Sequence, residues 1–202
     1  MKLRKYINKK KYKNEKIIHF KLKLLYIIMK VYNTCIELLN ERGYEILDKD
    51  DERILGSRIN KFTNAEEQIC VFLSITNKFN VESIQEYIYM LKQMEINHCI
   101  IVHRENATPV AKKIVEDSKD LIIELFNEDE LQCNITKHYL VPKHELVYKK
   151  GTKQCIEFKS KYGDKFPAIL KSDSVARFYG YERGDVIQIT RKNGFVTFRI
   201  CK

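Results

Sequence analysis

The chain has no tryptophan, three prolines and seven glycines in 202 residues, and it lacks any hydrophobic run of membrane-spanning length. The longest apolar run near the N-terminus, residues 24–29, has Lys21 and Lys23 before it and Lys30 after it. That falls far short of the ~20 residues a span needs, and the same lysines interrupt a secretory signal. Six scattered cysteines (35, 70, 99, 133, 155 and 201) include no CxxC pair, so neither a zinc site nor a disulfide framework is indicated. A soluble protein of a reducing compartment fits this usage. Glycine-rich phosphate loops and G-x-S-x-G elbows are absent, as are internal repeats and long low-complexity linkers. With 44% apolar residues the chain is too hydrophobic to be disordered, and its length allows one large or two small domains.

What the chain has in excess is positive charge, net +10, and its location matters more than its size. Residues 1–30 hold ten lysines and Arg4 against the single acid Glu15, which already accounts for +10. Residues 31–135 carry −9 and residues 136–202 carry +9. The expected organisation is a basic arm over 1–30, an acidic domain over 31–135 and a basic domain over 136–202.

Apolar residues Ile17, Phe20, Leu24, Ile28, Val31, Cys35 and Leu38 recur at spacings of three and four, the stripe of an amphipathic helix. Gly43 closes it, and Arg42 suits the negative end of its dipole. The acidic stretch Asp48 to Glu52 reads as a solvated loop or helix start, since spaced carboxylates without a calcium-loop glycine usually face water. Residues 69–75 form a buried strand, Asn80 caps a helix presenting Val81, Ile84, Ile88 and Leu91 and ending near Asn97, and residues 99–103 form a second buried strand. Strand, helix, strand makes a βαβ crossover with a sheet covered on both faces. In residues 106–115, Thr108 caps a helix with Pro109 at its first position, and Ile114 and Val115 face inward. That helix end, with Lys112 and Lys113 one turn along, is a candidate phosphate contact; it is also what any surface helix needs.

Past Asn134 the character changes. Residues 135–142 read as extended, since Pro142 pushes Val141 out of the helical region. A basic helix follows over 152–162, then a short helix over 174–179 capped by Ser172 or Asp173 and stopped by Gly180. Two strands, 186–191 and 195–200, join at Asn193-Gly194, which sets Ile187 and Ile189 on one face with Val196, Phe198 and Ile200. The five histidines (19, 98, 103, 138 and 144) have no helical metal-site spacing. Glu157-Phe-Lys159 superficially matches metal-dependent nucleases, where a carboxylate holds the ion and the lysine assists water, but it falls on a surface helix. Two classes remain on these grounds: a nucleic-acid-binding or assembly subunit, and a metal-dependent nuclease.

The segment Cys133-Asn-Ile-Thr-Lys-His-Tyr-Leu-Val-Pro-Lys-His144, then Phe166-Pro-Ala-Ile169, then Asp173-Ser-Val-Ala-Arg-Phe-Tyr-Gly-Tyr-Glu-Arg-Gly-Asp-Val-Ile187, resembles the C-terminal assembly domain of the shared fifth subunit of eukaryotic RNA polymerases and its archaeal counterpart. Glu41-Arg-Gly-Tyr44, the strand at 69–75 and Ala107-Thr-Pro-Val-Ala111 are similar to the eukaryotic jaw domain. The resemblance covers about residues 25 to 202. It implies an α/β N-terminal jaw domain plus a small α+β C-terminal domain docked on the largest polymerase subunit beside neighbouring small subunits. It further implies that the jaw lies under downstream double-stranded DNA, with Thr108, Pro109, Lys112 and Lys113 as DNA contacts that read no sequence. His138, Leu140, Val141, Pro142, His144, Val175, Arg177, Arg183 and Arg191 are assigned to the assembly surface. No catalytic residue, cofactor, metal or membrane is implied, and the setting is a nucleus, or a virus factory or virion.

Some positions depart from the family pattern: Ala168 stands where Arg is common, Ser174 replaces Pro, the final hairpin is short, and so is the stretch between Tyr44 and Ile69. Lys, Ile and Asn are abundant while Ala, Gly and Pro are few, as in AT-rich genes of large cytoplasmic DNA viruses or protists. Met29 falls close to where the family's first helix begins, and a chain started there would carry a net charge near +1.

Overall fold

A computed structural model describes residues 2–74, 79–105, 107–118, 120–163 and 166–202, with residues 2–16 described by backbone alone. The expected arm and first helix are one continuous helix, α1 (Lys2–Glu41). Among its described side chains, those that reach the core lie in its C-terminal part: Val31, Cys35, Leu38 and Leu39 are buried, as the three-four spacing requires. Gly43 then adopts φ +80°, and the N–H groups of Gly43 and Tyr44 donate to the carbonyls of Asn40 and Leu39 at 2.9 Å each, closing the helix.

The N-terminal sheet runs in chain order, β1 (Glu45–Lys49), β2 (Arg53–Ile59), β3 (Glu66–Ser74), β4 (His98–His103) and β5 (Ile122–Asn127). β1, β2 and β3 pair antiparallel; β3, β4 and β5 pair parallel. The acidic stretch closes β1 with Asp48 and Lys49 and forms the β1–β2 turn with residues 50–52. Asp50 accepts from the N–H groups of Glu52 and Arg53 at 2.8 and 2.7 Å, and these bonds hold its carboxyl below the usual range. The expected strand over 69–75 is β3; Ile75 lies outside the described residues, as does Asn106 ahead of the Thr108 cap.

α1 covers one face of this sheet through Ile54, Ile69, Val71, Ile100 and Val102. α2 (Val81–Gln93) and α3 (Pro109–Asp117) cover the other over Cys70, Phe72, Cys99 and Ile101, so strands buried on both faces read as unbroken apolar runs. Asn80 caps α2 by accepting from Ser83 N–H at 2.9 Å. α2 ends at Gln93 rather than near Asn97, because Glu95 takes φ +57° and the chain turns into β4.

The C-terminal sheet has the order β6 (Lys143–Tyr148), β8 (Val186–Thr190), β9 (Val196–Cys201), β7 (Ala168–Ile169), with α4 (Lys153–Tyr162) and α5 (Ser174–Tyr179) on its two faces. Two expectations are corrected. Residues 135–142 are not extended: Asn134 accepts from Thr136 N–H at 3.0 Å and caps a 3₁₀ turn over Ile135–Lys137, and Val141 N–H donates to His138 at 2.9 Å. The final hairpin pairs Thr190 with Val196 and Ile187 with Arg199, one residue out of the two-residue-turn register. Arg191 closes the loop with Phe195 and Gly194, so Ile187 and Ile189 share their face with Cys201, and Phe198 and Ile200 face α4 with Val186.

Candidate functional site

The proposed DNA-contact residues stand at the N-terminus of α3, directly after the carboxyl end of parallel strand β4. Buried Ala107 and Ala111 anchor this helix start, while Thr108, Pro109, Lys112 and Lys113 are exposed. Thr108 Oγ1 accepts from Ala111 N–H at 3.2 Å, and Lys112 N–H donates to the Thr108 carbonyl at 3.0 Å. Pro109 has no N–H to give. An anion would therefore meet the Val110 N–H, the helix dipole and two lysines, a narrower donor set than a fully open helix end. Beneath it, His103 is buried, stacked on Phe79 with ring centroids 4.9 Å apart and bonded through Nδ1 to the Glu105 carbonyl at 2.7 Å. Burial lowers its pKa, so it supplies no cation at neutral pH.

Six of the nine proposed assembly residues gather at one end of the C-terminal sheet. His138, Leu140, Val141 and Pro142 form the turn that leads into β6, His144 follows in β6, and the pairing of Lys143 with Thr190 brings Arg191 alongside. His144 Nδ1 contacts the Pro142 carbonyl at 2.8 Å, and burial keeps this ring's pKa low. Tyr139 and Leu140 are 68% and 70% exposed, unusual for apolar side chains on adjacent residues, and Phe195 is exposed on the neighbouring loop. Lys192 Nζ lies 5.6 Å from the Tyr139 ring centroid. The sequence signal for this patch is the apolar run Tyr139 to Pro142; Phe195 has none of its own.

The other three residues lie elsewhere. Arg183 precedes β8 and so sits a strand's length from Arg191, on a cleft of about 1450 Å³ between the two domains that Lys112 also lines. Val175 is buried in α5. Arg177 is turned onto its own chain: it pairs with Glu130, donates to the Leu125 carbonyl and lies 4.4 Å over the Phe126 ring. The reason is the seating of α5 against the N-terminal domain, whose core cluster contains Phe178.

A buried junction holds that seat. Arg42, with 2% of its side chain exposed, binds both Glu124 carboxylate oxygens at 2.6 and 2.9 Å. It also donates to the carbonyls of Phe178 and Arg177 at 2.8 and 2.7 Å. His98 Nε2 reaches Glu124 at 2.8 Å. Burial alone would raise the Glu124 pKa, but Arg42 and the His98 bond hold it well below the carboxylate range. Arg42 is thus a domain junction, where the sequence suggested only a favourable helix-end charge.

The Glu157-Phe-Lys159 triplet does not converge. Glu157 is an exposed carboxylate 3.9 Å from Lys153, while Lys159 donates to the Gly184 carbonyl at 2.8 Å. Among the described residues no three His, Cys, Asp or Glu side chains form a group that could hold a metal ion. The Arg183-Gly184-Asp185 motif is architectural: Gly184 takes φ +98°, and fully buried Asp185 accepts from the N–H groups of Glu182 and Lys150 at 2.8 and 2.9 Å.

The family model described as RNA polymerase Rpb5, C-terminal domain, matches residues 133–201. The chain is 33% identical over 190 residues to the DNA-directed RNA polymerases I, II, and III subunit rpabc1 of Dictyostelium discoideum, covering 86% of this chain and 96% of that protein. It is 32% identical over 187 residues to a protein of Invertebrate iridescent virus 6 named "Putative DNA-directed RNA polymerase subunit 454R", covering 86% and 98%. It is 28% identical over 199 residues to the DNA-directed RNA polymerase subunit 5-like protein 1 of Arabidopsis thaliana, covering 86% and 95%.

Proposed function

The chain belongs to the Rpb5 family of RNA polymerase subunits, and from that premise we propose that it is a non-catalytic subunit docked on the largest subunit and supporting downstream DNA. The observation that carries the reading is the division of surfaces between the two domains. The basic C-terminal domain presents the exposed Tyr139-Leu140 turn beside His138, Arg191 and Phe195, an apolar centre with a charged rim suited to a protein partner. The acidic N-terminal domain presents a single helix end with Lys112 and Lys113, suited to positioning a phosphate backbone without reading bases. The setting is wherever that polymerase transcribes: a nucleus, or a virus factory or virion.

Stoichiometric co-purification with the largest polymerase subunits from transcribing complexes tests the assignment; absence from an active complex overturns it. Leu140→Asp is expected to abolish that incorporation while the free subunit stays folded. Thr108→Ala combined with Lys112→Ala and Lys113→Ala should leave assembly intact and weaken downstream DNA retention. The log–log salt slope should become shallower by about 0.9 for each phosphate that the variant no longer neutralises. Equal slopes for variant and wild-type polymerase would remove the DNA contact from the reading. The nuclease alternative predicts cleavage when the purified chain is incubated with DNA and Mg²⁺ or Mn²⁺, and none is expected.

A further inference from the structure

α1 carries a second apolar stripe that the domain does not use. Ile18, Leu22, Leu25 and Met29 follow one another at spacings of four, three and four, and they are 57%, 61%, 62% and 54% exposed. The same spacing continues into Tyr32 and Ile36, which rest on the edge of the core cluster. A sustained three-four repeat is the seam of a helix pair, narrower than the stripe that seats a helix on a sheet. The seam runs about 16 Å from Ile18 to Met29 and is continuous with packed structure at its Tyr32 and Ile36 end.

We propose that this seam docks an acidic amphipathic helix of another protein. The choice of partner rests on charge. From Lys16 to Lys30 there are four lysines and His19 but no acid; the acids nearest the seam in sequence are Glu15 and Glu37. Two copies of α1 paired along this seam would bring together two arms of net +10, with Lys21 of each beside the contact. A helix with apolar seam residues and glutamates on its flanks would bury the same stripe and neutralise that field. Lys30 Nζ already sits 4.8 Å from the Tyr26 ring centroid, one turn along the helix, so one flanking cation is held beside the seam. The proposal does not depend on the polymerase reading, because it rests on the exposure and charge of α1 alone.

The test uses the full chain and a labelled synthetic helix of four heptads, leucine at the seam positions and glutamate on both flanks, read by fluorescence anisotropy. Saturable binding that weakens with added salt is expected, with the chain itself sedimenting as a monomer. Leu22→Asp with Leu25→Asp changes two exposed side chains, should leave the circular dichroism and thermal midpoint unchanged, and should weaken the peptide at least about tenfold. A lysine-flanked peptide should not bind. The proposal is overturned if the lysine-flanked peptide binds equally, if the double variant binds as tightly as wild type, if the chain dimerises through the seam, or if phosphatidylserine vesicles bind it and the acidic peptide does not.

Discussion

Arg42 meets four acceptor atoms in two domains with one guanidinium, and that makes Glu124 the most informative single substitution. Glu124→Gln leaves a buried cation without its counter-charge and should cost about 3 kcal/mol in urea unfolding. The pH dependence follows from the direction of the shift. A carboxylate whose folded pKa lies below its unfolded value of about 4.3 contributes stability above that value, and loses it as pH falls through the folded one. Wild type should therefore lose stability more steeply than Glu124→Gln below the ordinary carboxylate range, and parallel acid titrations of stability would refute the role. Cysteine offers an independent check. Five of the six thiols are buried and free, and burial pushes Cys35 and Cys70 up to about 12, whereas Cys133 is exposed. A thiol reagent should label Cys133 alone in the folded state and all six in denaturant. At this scale the caps were readable in advance, because Asn80, Thr108 and Asp173 act within three residues of themselves. Arg42 was not, since its partners lie 82 or more positions away.

Elements defined by local rules emerged from the sequence with small errors, and elements defined by partners did not. α5 begins after Asp173 and ends at Gly180, as its cap chemistry requires, and α4 falls within a residue of the basic segment 152–162, capped by Thr152 and closed by Gly163. β1, β2, β5, β6 and β7 are not legible as strands in the sequence; Phe126 is the one buried residue of β1, β5 and β6, and pairing rather than pattern makes them strands. The final hairpin shows the limit most sharply: Asn193-Gly194 was the right turn signal, yet a one-residue difference in register exchanged the faces of β9. Gly180 joins element and junction. Its φ is +68°, and a Cβ there would stand 2.9 Å from Arg42 Cζ. Gly180→Ala should cost about 1–2 kcal/mol from backbone strain alone, and more if Arg42 is displaced. A chemical-denaturation midpoint equal to wild type would contradict this.

The two domains behave as one body in the packing. Phe178 of α5 is buried within the core that α1 shares with the N-terminal sheet, and Glu37 of α1 bonds Asn134 and Lys137 at 2.8 and 3.0 Å. Phe178→Ala should therefore lower stability by about 3–5 kcal/mol. Hydrogen-exchange protection should fall together in β3, β4, β8 and β9, and loss confined to the C-terminal strands would show that the domains unfold separately. Such coupling was invisible to composition, which divides the chain into acidic and basic parts that the structure then locks together. It also gives α1 a mechanical meaning. A 40-residue helix is roughly 60 Å long, and among its described side chains the contacts with the core cluster begin at Ile27. The 25 helical residues before it span about 38 Å, so a tilt of about 5° at the base would carry the far end about 3 Å, and small rotations of the body would be amplified wherever that end is held.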